Sequence, residues 1–264
     1  MLRFGEWTFA TSRPAPSGRH GAPLGLVIEG LHEPALDAHL GARMGARTPA
    51  PADYLHEILL GDEHREAFFD LVDLEGLVVC KGVPCAHPTY RFVRGRSSRG
   101  RLSQGEYYHH DGCSGPTKPR VVEIRFPHQL VERHIATAVA PFPETVVAML
   151  RELPEALHEK ADLARWRARI DAGEPLARDE WDTLQGLIVR TVRRAYSAED
   201  ARLYFRGVDA RAGAYVERWA WGESRFIANN NALRTMQHRR AYLDAASDGR
   251  SNGNLVKRWP AEEL

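Results

Sequence analysis

The chain has 264 residues, 43% of them hydrophobic and 27% charged, and a formal net charge of +1. That balance fits a globular protein and excludes the strong basic field of a nucleic-acid or anionic-membrane binder. No apolar run approaches the roughly 20 residues of a membrane-spanning helix. Residues 1–13 lack the basic start and apolar core of a secretory signal. Three cysteines (Cys80, Cys85, Cys113) without zinc-type spacing predict reduced thiols in a cytoplasmic protein.

Residues 1 to about 50 are rich in Pro, Gly and Arg, with Leu26-Val27-Ile28 as an early strand and 43–51 as a loop. Tyr54, Leu55, Ile58 and Leu59, then Phe68, Phe69, Leu71 and Val72, fall at helical spacing through about Asp73. Gly76 breaks that pattern, and Leu77-Val78-Val79-Cys80 predicts a buried strand closed by the turn Lys81-Gly82-Val83-Pro84. Arg91 to Gly105 reads as a mobile loop; its arginines (Arg91, Arg94, Arg96, Arg99, Arg101) suit solvent first and an anionic substrate second. Arg120 to Phe126 predicts a central strand, and Ala136 to Ala140 a short connecting segment. Val146, Val147, Met149 and Leu150 predict a helix ended by Leu153-Pro154.

Glu155 to Arg194 is charged and amphipathic, anchored by Trp166, Ile170, Trp181, Leu184 and Ile188. It predicts a helical insertion at about 155–195, divided near Asp171–Pro175, within a single domain spanning 1–264. Leu203-Tyr204-Phe205, Ala214 to Trp221 and Arg225 to Ala228 read as strands with turns at Gly207, Gly213 and Gly222. Met236 to Leu243 and Asn254 to Trp259 close the pattern, joined by the turn-rich stretch Ser247 to Gly253.

The stretch that carries chemistry is Tyr107-Tyr108-His109-His110-Asp111-Gly112. In a strand, residues two apart share a face, so the His109 imidazole and the Asp111 carboxylate converge while His110 points away. Two ligands are too few for a tight site. Two histidines and one carboxylate on one face of a metal form the non-haem Fe(II) arrangement, and Zn²⁺ accepts the same set. The third ligand is His238, which follows a strand and precedes Arg250, Lys257 and Arg258. An oxoacid co-substrate needs a cation for its far carboxylate, and a guanidinium binds carboxylate bidentately. The plain alternatives are a surface histidine, an aspartate that turns the chain before Gly112, and solvated arginines. Cys113 is read as a small loop residue near the site.

With these residues in place the chain resembles the Fe(II)/2-oxoglutarate-dependent oxygenases of the taurine dioxygenase and clavaminate synthase type. Four segments carry the resemblance in order: Phe68 to Pro84, Tyr108 to Gly112, Ala136 to Ala140 with the helix ending Leu153-Pro154, and Trp221 to Trp259. The resemblance implies a double-stranded β-helix (jelly roll, cupin-like), mainly β with flanking helices. It implies Fe(II) on His109, Asp111 and His238, 2-oxoglutarate held by Thr137 and by Arg258 or Arg250, and O₂ as oxidant. Arg258 fits the family's strand pattern, but Asn254 stands where a partner arginine is usual; Arg250 has the usual spacing from His238. Arg240 shares the face of His238. The implied reaction is oxidation of an unactivated C–H bond of a small polar molecule, by hydroxylation, desaturation or oxidative cyclisation, in specialised metabolism. His110, Tyr107, Arg125 and Arg234 are candidate substrate contacts.

Three other readings compete. His110 and Gly112 form a His-x-Gly pair, as in the halogenases of the same superfamily, but Asp111 disfavours it. A jelly-roll binding protein that has lost catalysis is a second, and a metal enzyme without 2-oxoglutarate a third. Fold alone licenses none of these.

Overall fold

Two β-sheets and a helical layer build the protein. The computed structural model describes residues 2–4, 7–13, 25–29, 64–81, 91–93, 102, 104–111, 119–125, 135–160, 162–218, 223–230, 235–242 and 254–260. In chain order the strands are β1 (Leu2–Phe4), β2 (Trp7–Ser12), β3 (Leu26–Glu29), β4 (Leu77–Lys81), β5 (Arg91–Val93), β6 (Pro119–Arg125), β7 (Ile135–Pro141), β8 (Tyr215–Arg218), β9 (Glu223–Ala228), β10 (Met236–Tyr242) and β11 (Asn254–Pro260). The helices are α1 (Arg65–Glu75), α2 (Glu144–Glu152), α3 (Glu155–Lys160), α4 (Leu163–Asp171), α5 (Arg178–Ala195) and α6 (Ala198–Arg211).

The large sheet has the order β1-β2-β3-β4-β9-β6-β11-β5, and the small one β10-β7-β8. Among the described pairs only β3–β4 is parallel. Period-two alternation sorts each strand of the large sheet onto two faces. Phe226 meets Phe68 of α1 edge-to-face at 4.8 Å. On the opposite face, Arg225 reaches the small sheet, donating to the Glu217 carbonyl at 3.3 Å and standing 5.7 Å from the Tyr215 ring. The space between the sheets is therefore the inner layer, filled by Leu77, Val79, Val122, Ile227, Val139, Tyr215 and Met236.

The other face of the small sheet is covered by α2, α5 and α6. Ala136, Ala138 and Ala140 line it, fully buried, against Met149, Ile188 and Phe205. Their short side chains let the helices approach closely. Ala136 to Ala140 is thus the central strand of the small sheet rather than a connecting segment. Alanine's weak strand preference hid it, and the pairing to β10 and β8 overrides that preference.

Other expectations need correction. Leu203-Tyr204-Phe205 lies in α6, not in a strand. Ala201, Tyr204, Phe205 and Val208 are its buried stripe, at spacings of three and four, and the Ser197 hydroxyl caps it by accepting from the Asp200 N–H at 3.1 Å. Helical structure thus continues beyond 195, to Arg211. His238 lies within β10 rather than after a strand. Arg91, read as loop, begins β5 on the edge beside β11. The helical spacing before β4 is realised over Arg65–Glu75, ended by Gly76 at φ 77°, whose N–H returns to Val72 at 2.7 Å. The expected helix positions Tyr54 to Leu59, the loop 43–51, Arg94 to Arg101, Cys113, Arg234 and Arg250 lie outside the described residues. Among the described residues no helix is long and apolar enough to cross a membrane.

Candidate metal centre

The segment Tyr107–Asp111 runs antiparallel to the start of β10 through an isolated bridge between His109 and His238. Each residue's N–H donates to the other's carbonyl, at 3.1 and 3.2 Å. Residues that exchange both bonds sit directly opposite, with side chains on one face. The two imidazoles accordingly lie side by side, ring centroids 4.5 Å apart. Asp111, two residues beyond His109, falls on the same face, its Oδ1 3.6 Å from His109 Nε2. Donor atoms of His109, Asp111 and His238 all lie within 4.8 Å of one another.

This donor set fits a metal ion. Ligands about 2.1 Å from a metal are roughly 3.0–3.4 Å apart at right or tetrahedral angles, close to the His109–Asp111 separation. His109 Nδ1 lies 2.8 Å from the Tyr107 carbonyl, which can only accept. That bond fixes the proton on Nδ1 and leaves the Nε2 lone pair for a ligand, the usual device for orienting a metal-binding imidazole. Asp111 and His238 are 9% and 6% exposed, and the His109 side chain 24%, so one side of the site faces solvent.

The sequence gives no hint of what holds the trio in place. Asn229, fully buried at the end of β9, accepts from the Asp111 N–H at 2.8 Å and donates to the carbonyls of Asp111 at 3.1 Å and Pro119 at 2.9 Å. It pairs with Asp111 as a neighbouring strand would. From α6, Asp209 accepts from the Tyr108 hydroxyl at 2.7 Å and from Arg239 Nε at 2.9 Å, and pairs with Arg239 Nη2. Tyr108 precedes His109 and Arg239 follows His238, so one carboxylate ties together the neighbours of both imidazoles. From α5, Gln185 donates to the Tyr108 carbonyl at 2.8 Å and accepts from Gln237, the residue before His238, at 2.7 Å. Burial pushes the Tyr108 phenol well above its usual range, and the Asp209 charge adds to it. Burial alone would lower Arg239, but Asp209 and Tyr108 together more than offset that and its pKa is raised.

The other expected site residues divide. Thr137 is buried on β7, opposite Arg240 and Glu217; since Val139 faces His238, Thr137 shares the face of His238 one step along. Arg240 is on that face too. Arg258 pairs with Val122 where β11 runs beside β6. His110 turns away from the trio, as the alternation requires. It is 5% exposed, with Gln237 Nε2 and Arg178 Nη2 each 3.3 Å from Nδ1 and Phe142 edge-on at 5.0 Å. The His-x-Gly reading therefore places its histidine on the wrong face.

No protein-family model matches the chain, and no curated protein matches it in sequence. Solved structures similar to it include AAD-2 in complex with Mn(II) and N-oxalylglycine, at 13% identity and TM-score 0.43, covering 97% of this chain and 99% of that one. PvcB of Pseudomonas aeruginosa, described as an Fe, alpha-ketoglutarate dependent oxygenase from an isonitrile synthetic pathway, is similar at 12% identity and TM-score 0.44, covering 98% and 93%. A taurine dioxygenase from Burkholderia xenovorans is similar at 9% identity and TM-score 0.40, covering 96% and 91%. The donor geometry above stands independently of these likenesses.

Proposed function

We propose that the protein is an Fe(II)- and 2-oxoglutarate-dependent oxygenase that oxidises a C–H bond of a small molecule in the cytoplasm. The observation that carries this reading is the facial set His109, Asp111 and His238, with the His109 tautomer fixed by the Tyr107 carbonyl. Such a set leaves one side of the ion open for a co-substrate and O₂. Iron bound there supplies the oxidising chemistry; the chain's own residues hold, orient and shield.

In this reading Thr137 and Arg258 hold 2-oxoglutarate, with Arg250 the rival for the far carboxylate. The two sheets form the halves of a double-stranded β-helix, in one domain over 1–264, and Asn229, Asp209 and Gln185 keep the ligands in register. Specialised metabolism is the setting that a small polar substrate suits, with hydroxylation, desaturation or oxidative cyclisation as the outcome. No nucleic-acid or membrane partner is needed.

The test is anaerobic addition of Fe(II) and 2-oxoglutarate, reading the visible metal-to-ligand charge-transfer band. The band should vanish in His109→Ala, Asp111→Ala and His238→Ala, and weaken in whichever of Arg258→Ala and Arg250→Ala removes the carboxylate partner. Iron bound without a band would sink the 2-oxoglutarate part and leave a metal enzyme of another kind. No iron bound would leave a binding protein.

A further inference from the structure

A cleft of about 540 Å³ opens beside the metal site, between α5 and the segment Tyr107–His110, and His109 is part of its wall. From α5 it is lined by Arg178, Asp182, Gln185, Gly186, Val189 and Arg193. These fall at spacings of four, three, one, three and four, so they form one stripe along a single helical face. The stripe is basic at both ends but the ends differ. Arg178 lies over the Phe142 ring at 4.1 Å, beside His110, with Asp182 3.5 Å from its Nε. Arg193 lies 4.9 Å over the Tyr107 ring and forms no ion pair among the described residues. One end is thus charge-compensated and the other offers a guanidinium to an anion.

Gly186, at the middle of the stripe, shows what the cleft is for. Glycine is the poorest interior helix residue after proline, and nothing in the packing of the described residues requires it here. Among the described residues a Cβ built on it would meet only Arg190 Nη1, at an ordinary 3.5 Å. The missing side chain enlarges the cleft and serves no contact of the fold.

We propose that this cleft binds the oxidisable substrate, and that the substrate is an organic carboxylate. Its anionic group pairs with Arg193, and its apolar body lies over Val189 and Gly186, which brings its far carbons beside His109. Gly186 sets the length and girth accepted. The proposal rests on the oxygenase reading for the word substrate; anion binding in the cleft does not depend on it.

Octanoate is a suitable probe, because its chain is about as long as the rise over the seven steps from Gly186 to Arg193, roughly 10 Å of helix. Octanamide is its neutral counterpart. Titration calorimetry on the full-length protein should show octanoate binding at least about tenfold more tightly than octanamide, the range of one charge-assisted contact. Arg193→Met should bring the two ligands level. Gly186→Leu should weaken both about tenfold or more while melting no lower than wild type and keeping the anaerobic Fe(II)/2-oxoglutarate band. Equal binding of octanoate and octanamide to wild type, or undiminished octanoate binding by Gly186→Leu, would overturn the proposal. Octanoate binding that depends on Gly186 in a wild-type protein lacking the band would uphold the anion cleft and overturn its role in oxygenation.

Discussion

Replacing Asp209 by Asn tests whether the helices hold the metal ligands. The side chain keeps its size but loses the charge that Arg239 pairs with. The Arg239 and Asp209 side chains are only 4% and 10% exposed, so solvent screens the pair little. Breaking a buried pair by neutralising one partner typically costs about 3–5 kcal/mol, because the other charge stays buried. Unfolding entropy of roughly 2.1 cal/mol/K per residue turns that into a Tm loss of about 5–9 °C for a chain of 264 residues. The same carboxylate links the neighbours of His109 and His238, so metal affinity should fall about 10- to 100-fold, as for other residues that orient metal ligands. Differential scanning calorimetry gives the first quantity. Competition with a metal-responsive dye, well below the melting temperature, gives the second. A lower Tm with unchanged metal affinity would refute the link to the ligands and leave Asp209 a plain packing residue. An unchanged Tm would refute the buried pair itself.

Further consequences can be measured in the same way. Asn229→Ala leaves the Asp111 N–H and two carbonyls without their partner. It should cost about 2–4 kcal/mol from three lost hydrogen bonds, and calorimetric metal titration should show weaker binding. The Tyr108 phenol is raised in the fold, so its contribution to stability is intact below the unfolded tyrosine value of about 10 and is lost as pH climbs past it. Thermal melts across that range should therefore fall more steeply for wild type than for Tyr108→Phe. Gln185→Leu removes the bonds from α5 to the Tyr108 carbonyl and Gln237. Combined with Asp209→Asn, its effect on metal affinity should be non-additive, since both act on the same bridge. Gly25 has φ +85°, and a Cβ there would come within 2.7 Å of the Leu77 carbonyl oxygen. Gly25→Ala should destabilise by about 2 kcal/mol or more, and a denaturant midpoint equal to wild type would contradict this.

Local signals account for what could be read from the sequence. The His109–Asp111 pair and the buried run Leu77–Cys80 depend on period two, and α1 and α2 on spacings of three and four, so a short window holds all the information. For Ala136–Ala140 and Leu203–Phe205 the neighbours in space, not the local pattern, decide the form. Alanines became a strand once β10 and β8 flanked them, and an apolar triplet became a helix because Ala201 and Val208 complete its stripe. The supports of the site were invisible for the same reason. Asn229 meets Asp111 across 118 positions, and Tyr108 meets Asp209 across 101. A buried Asn and a helical Asp have no pattern of their own that marks them.

Helices α5 and α6 therefore do two kinds of work. Gln185 of α5 and Asp209 of α6 fix the bridge between His109 and His238. The stripe of α5 that carries Gly186 and Arg193 looks into the cleft that reaches His109. A change in α5 can thus alter what is bound without moving the ligands, provided Gln185 is kept. The stripe is the place to look for specificity because Gln185, which interrupts it, is committed to the fold while Gly186 beside it is not.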